Sequence, residues 1–191
     1  MRRKEKSTGK FFSIFVVLIM TASVLGFFIG GRDNEQTLEY NGWSFVRKGD
    51  VWISFVNNNQ LVFDYFPEQV LDIEVSNEII SRFNTLEIDI TNDVNVSNKE
   101  AIALSQYRIK ENIELMTNTY IRQGLTAEND FNLPIITCIG ATEVVPVIYF
   151  KESNETKVYL EGNCVIIEAD SEIGFLKVKD RLLYGFFEII K

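Results

Sequence analysis

Residues 43–66 read WSFVRKGDVWISFVNNNQLVFDYF. Three short runs of β-branched and aromatic residues, Trp43–Val46, Val51–Val56 and Leu61–Phe66, are separated by Lys48-Gly49-Asp50 and Asn57-Asn58-Asn59. Gly and Asn tolerate the positive φ of tight turns, so the stretch predicts an antiparallel meander. Alternation puts Val51, Ile53 and Phe55 on one face and Trp52 and Val56 on the other. Both faces are therefore apolar. Helices packed on one of them would leave Trp52 or its neighbours partly open as a partner contact, because Trp and Tyr are favoured at interfaces, unless linker residues or the helix from Ser76 to Phe83 cover that face.

Downstream, Ser76 is placed to cap a short helix reaching Phe83. Leu86, Ile88 and Ile90 alternate with Glu87 and Asp89, the pattern of a half-buried strand. Ser97 and Glu100 match a capping box, opening a helix that runs to Gln123 with Gly124 as its stop. Strands follow at 133–139, 144–150, 157–160 and 164–169. A terminal helix begins at Asp170 or Ser171 and carries Ile173, Leu176, Leu183, Phe186, Phe187 and Ile190 on its apolar side. Strands and helices are segregated, so the fold class is α+β, with one mixed or antiparallel sheet covered by helices.

Upstream, Phe11–Gly31 is 21 residues without a charge, fifteen of them apolar. As a helix this run spans about 30 Å, the thickness of a bilayer's hydrocarbon core. Arg2, Arg3, Lys4, Lys6 and Lys10 precede it, whereas Arg32 follows beside Asp33. The positive-inside rule then gives a single-pass membrane protein with a cytoplasmic N-terminus. A cleaved signal peptide would have a shorter apolar core and a better cleavage site than Ala22-Ser23 offers. The expected organisation is a cytoplasmic tail (1–10), a transmembrane helix (11–31), a linker (32–37) and an extracytoplasmic domain (38–191). Ala22, Gly26 and Gly30 recur every four residues, a spacing that allows a homodimer through close helix packing.

The chain has 191 residues, 19 Lys and Arg against 27 Asp and Glu, no His and two Cys. Without His there is no His general base and no His-ligated metal. Two cysteines cannot make a four-thiolate site, and no cofactor motif occurs. Residues 1–31 hold five basic residues and one acid, which leaves residues 32–191 a net charge of −12. That body has no electrostatic footprint for nucleic acid.

An extracytoplasmic domain permits a disulfide between Cys138 and Cys164. Asn95-Val96-Ser97 and Asn154-Glu155-Thr156 are glycosylation sequons at Asn95 and Asn154. Asp93, Asn95 and Ser97 have the spacing of the first ligands of a calcium loop, but Asn98 and Leu104 occupy its glycine and bidentate-acid positions. Glu143, Glu161 and Glu168 are the acids near the C-terminal strands.

Asn132–Cys138, Ala141–Phe150 and Lys179–Gly185, together with the N-terminal apolar run, resemble a group of small single-pass archaeal membrane proteins of unknown function. The resemblance implies an archaeal surface location and no activity. The expected role is an extracytoplasmic binding or assembly module for an unknown membrane or envelope protein. The alternative is a carboxylate-dependent surface enzyme.

Overall fold

The computed structural model of the chain describes residues 13–23, 36–56 and 58–190. The chain divides into two units, Met1–Glu35 and Gln36–Lys191. In the first, residues 13–23 are helical and exposed. They lie within the span expected from the sequence, whose remaining residues, Gly26 and Gly30 included, fall outside the described residues. No helix among the described residues is long and apolar enough to cross a membrane.

The second unit is α+β, but it holds two sheets where the sequence suggested one. The first is the antiparallel meander β1 (Thr37–Tyr40), β2 (Trp43–Lys48), β3 (Val51–Val56) and β4 (Asn59–Phe63), paired in chain order. Between β1 and β2, Asn41 and Gly42 both take positive φ, 49° and 82°. That is the type I′ geometry, whose twist matches a two-residue hairpin.

The second sheet contains β5 (Glu87–Asn92), β6 (Tyr120–Leu125), β7 (Val147–Glu152), β8 (Lys157–Glu161) and β9 (Cys164–Ala169) in the order β6-β5-β7-β9-β8. All neighbours are parallel except the β8–β9 hairpin. A parallel pair needs a crossover. For β5 and β6 it is supplied by α2 (Lys99–Met116), while α1 (Asn77–Ser81) and α3 (Glu172–Phe186) complete the helices.

The longer helices touch both sheets. α2 meets β4 and β6; α3 meets β9 and the 3-10 turn Pro67–Val70. The main apolar core results, joining Phe45, Leu61 and Phe63 of the meander to Phe175, Leu182 and Tyr184 of α3 and to Ile90, Phe150 and Ile167 of the mixed sheet. This geometry corrects the expectation for Trp52. Trp52 sits across from Phe63 on the core face and is 6% exposed; Phe55, on the opposite face, is the open ring at 57%. Trp52 packs on Phe66 with ring centroids 5.0 Å apart.

Three element boundaries also differ. The helix expected to reach Gln123 ends at Met116, and the chain re-forms as β6 because Ile121 is buried beside Ile88 in the mixed sheet. Ser97 does not cap α2. The N-cap is Asn98, and Glu152 at the end of β7 accepts from its backbone N (2.6 Å) and its Nδ2 (2.8 Å). A carboxylate from another strand thus meets the helix's positive end. The strand expected at 133–139 is a strap: only Ile135 bridges to Leu125, and Cys138–Gly140 forms a 3-10 turn.

Gly124 explains the strap. It is a mid-strand residue of β6, not a helix stop. A Cβ there would come within 2.6 Å of the Ile136 Cδ1 atom and would press on the Pro134 carbonyl. Gly124→Ala should therefore destabilise the domain by about 1–3 kcal/mol, the usual cost of overpacking. Urea denaturation measures the loss. Faster proteolysis of residues 126–146 would locate it in the strap.

Candidate functional site

The helices cover one face of the mixed sheet. Its other face carries Val147, Tyr149, Tyr159, Cys164 and Ile166, by the alternation of side chains along the strands. The strap, residues 126–146, crosses part of this face. Leu125 and Ile136 hold it by backbone bonds: Leu125 N donates to Pro134 O at 3.0 Å and Ile136 N to Leu125 O at 2.9 Å. The buried Thr91 hydroxyl donates to Ile136 O at 3.0 Å. A disulfide joins Cys138 to Cys164 of β9, with Cα atoms 5.3 Å apart. Beneath it Ile136, Val147, Cys164 and Ile166 form a separate small core.

The strap leaves three large apolar side chains open. Ile139 is 97% exposed, Phe131 74% and Val144 73%. The charged residues between Gln123 and Phe150 are Glu128, Asp130 and Glu143, all acidic.

The uncovered part of the same face is polar and internally paired. Asp93 accepts from Thr126 Oγ1 at 2.8 Å and from the Tyr149 hydroxyl at 2.8 Å. This carboxylate is therefore committed to the sheet, away from the arrangement a calcium loop needs. Burial, and then Asp93, push the Tyr149 hydroxyl well above its ordinary range. Glu168 is buried among Lys151 (3.1 Å), Lys157 (3.3 Å) and Tyr159 (3.1 Å). Burial alone would raise its carboxyl, but the bonds from Lys151, Tyr159 and Lys157 outweigh that and hold it low. Glu143 and Glu161 are exposed. Glu161 and Glu168 are separated by four residues along the β9 ladder, roughly 13 Å. Among the described residues, no three His, Cys, Asp or Glu side chains are grouped to hold a metal ion.

A cleft of about 550 Å³ opens beside the meander, walled by Trp52, Tyr65 and Phe66 and by the charged Arg47, Asp64 and Glu68. One lining residue, Asp64, belongs to an ion triad. The Lys179 ammonium lies 2.5 Å from both Asp64 Oδ2 and Asp180 Oδ1. The other oxygen of Asp180 accepts from the backbone N of Asp64 (2.9 Å) and Tyr65 (2.8 Å). Lys179 and Asp180 are completely buried, and the Asp64 side chain is 18% exposed. Burial pushes the Asp180 carboxyl up to about 6, against the pull of Lys179.

Sequence reasoning did not single out these three residues. The available signal was a Lys-Asp-Arg run inside a terminal helix that is apolar on most sides. Of the residues it did single out, Cys138 and Cys164 are brought together. Asn95 and Asn154 are both exposed, outside the regular elements. Trp52 lies in the cleft wall as a core residue. Compared with family models, with curated proteins and with solved structures, the chain matches none.

Two outcomes follow from this chemistry. Cys138 and Cys164 should resist alkylation until reductant is added. Reduction should then lower stability by roughly 3–4 kcal/mol, the chain-entropy value for a loop of this length. The second outcome concerns pH. The folded state holds the Asp180 proton more tightly than the unfolded chain, whose value is near 3.8. This contribution is complete below the unfolded value and is lost as pH rises through about 6. Unfolding free energy should therefore rise between pH 7 and pH 5 in urea titrations, and Asp180→Asn should flatten that rise. Further acidification acts oppositely, since Glu114, Glu152 and Glu168 are held low in the folded state.

Proposed function

We propose that residues 38–191 form an extracytoplasmic binding or assembly module, tethered to the cell membrane by the apolar run 11–31 with residues 1–10 in the cytoplasm. The observation that carries this reading is the strap: large apolar side chains held outward on a segment fixed by a disulfide. Solvating such side chains on a rigid support costs free energy that a partner's surface recovers. A disulfide persists in an oxidising compartment, which agrees with the orientation set by the flanking charges. Ala22, Gly26 and Gly30 would let two anchors pair, and Asn95 and Asn154 stand on exposed backbone suited to a surface protein's modification.

The alternative, a carboxylate-dependent surface enzyme, would draw on Glu143, Glu161 and Glu168. Glu168 is neutralised by two lysines, and Glu161 stands at the far end of the ladder. The module is the reading the geometry favours.

Protease added to intact cells or spheroplasts should degrade the domain; full protection would overturn the orientation. A mature N-terminus near Ser23 would replace the anchor by a cleaved leader. Ile139→Asp, at a side chain 97% exposed, should change stability by less than about 0.5 kcal/mol. The same variant should reduce in-cell cross-linking to the membrane neighbour. Unchanged cross-linking would remove the strap from the interface.

A further inference from the structure

The strap is held unevenly along its length. Its first part is fixed by backbone bonds to Leu125 and by the Thr91 hydroxyl, which donates to Ile136 O. Its far end is fixed at Pro146, whose carbonyl accepts from Asp89 N at 3.0 Å. Ile136 and Pro146 are both buried, whereas every residue from 137 to 145 is half-buried or exposed.

Hydrogen bonds do not tie this middle segment to the sheet. Gly140 N donates to Thr137 O (3.0 Å), Ala141 N to Cys138 O (3.2 Å), Thr142 N to Val145 O (2.9 Å) and Val145 N to the Thr142 hydroxyl (3.0 Å). All four bonds close within the segment. What joins it to the sheet is the disulfide from Cys138 to Cys164, with the packing of Cys138 and Ala141 on the small core.

Two half-buried side chains are a weak hold on such a segment, because ordering each backbone residue costs conformational entropy. The main core includes none of residues 137–145. A segment with few buried apolar contacts opens locally while the core beside it stays closed. Cys164 is completely buried and Cys138 is half-buried, so an external thiolate approaches from the Cys138 side.

We propose that the Cys138–Cys164 disulfide is a redox latch: a dithiol reductant opens it and frees residues 137–145, while the two sheets and their helices stay folded. One thiolate of the dithiol attacks Cys138 Sγ, forming a mixed disulfide as the protein's S–S bond breaks and Cys164 leaves as the thiolate. The second thiolate of the reductant attacks its own sulfur in the mixed disulfide, closing a cyclic disulfide and releasing Cys138. The protein disulfide gains two electrons and two protons, and the dithiol loses them. Ile139 and Val144 belong to the freed segment and Phe131 does not, so reduction withdraws two of the three open apolar side chains from fixed presentation. That consequence rests on the binding-module reading; release of the segment does not.

The test digests the full-length chain in detergent briefly with thermolysin, oxidised and after treatment with dithiothreitol. Cleavage within residues 137–145 should accelerate about tenfold or more on reduction, with tryptophan emission unchanged. Cys138→Ser should be cut at the reduced rate without reductant; if that variant fails to fold, the reduced native chain decides. Equal cleavage of the oxidised and reduced chains overturns the latch. A shift of tryptophan emission on reduction overturns it too, because the disulfide would then support the whole domain. An excess of monothiol followed by acid quenching should leave its adduct on Cys138, and an adduct confined to Cys164 overturns the stated chemistry. In cells, Cys138→Ser should lower cross-linking to the membrane neighbour; undiminished cross-linking with the segment freed overturns the latch as a switch of the interface. Ile139→Asp probes the module with the disulfide intact, so the module and the latch fail separately.

Discussion

Everything in the folded unit leans on α3 being buried between two sheets. From Gly174 to Tyr184 nearly every residue of this helix is inaccessible, including Lys179, Asp180 and Arg181. A helix so placed cannot send its polar groups to water, and each must find a partner inside. Lys179 and Asp180 bind one another and the end of β4, Arg181 Nε donates to Ile73 O at 3.1 Å, and the Tyr184 hydroxyl donates to Tyr65 O. Apart from the Lys179–Asp180 bond itself, these bonds reach the segment between the two sheets. The polar residues of α3 thus fix where the meander ends and where residues 64–73 run. Tyr184 stacks on Phe63 at 4.4 Å and meets Phe45 edge-on at 6.0 Å, completing the joint with apolar contact.

The mixed sheet then divides its duties by face. The helix side is continuous with the main core, while the other side is finished by a strap with little secondary structure of its own. A loop of that kind has few ways to bury backbone polar groups, and this one borrows strand edges and the Thr91 hydroxyl for the purpose. The same attachments protect the sheet. On the outer edge of β6, Ile121 N donates to Glu114 at 2.8 Å and Lys110 donates to Ile121 O at 2.9 Å, while the strap pairs with Leu125. An edge blocked at both ends offers little to a passing strand. The disulfide fixes the strap to the first residue of β9, the strand beside the β8 edge, so the strap's exposed apolar side chains are presented on a covalently held base.

Local cues lost to tertiary ones at definite places. Residues 117–123 have helical-looking spacing, yet Ile121 is worth more buried in a parallel ladder than on a helix end. Ser97 and Glu100 offer a capping box, yet Glu152 arrives from β7 with a full charge and takes the position. Gly124 reads as a stop signal in sequence and serves as the space through which Pro134 and Ile136 approach. Trp52 was on the correct side of an alternation whose core face the sequence could not choose, because both faces of β3 are apolar.

The sequence by itself determined the α+β class, the meander with its turns, the amphipathic or apolar character of the longer helices, and a cysteine pair able to bond. These depend on periodicity, turn chemistry and residue type, which act over a few neighbours. Only the tertiary structure decided that there are two sheets, that the second is mostly parallel, and that Asp64, Lys179 and Asp180 meet in one ion triad. Those three lie 115 and 116 residues apart along the chain. Their meeting follows from α3 being enclosed on both sides, a constraint no local window contains. The chain's own pattern could say that a Lys-Asp pair sat in an apolar helix; the fold alone supplied the second carboxylate, Asp64.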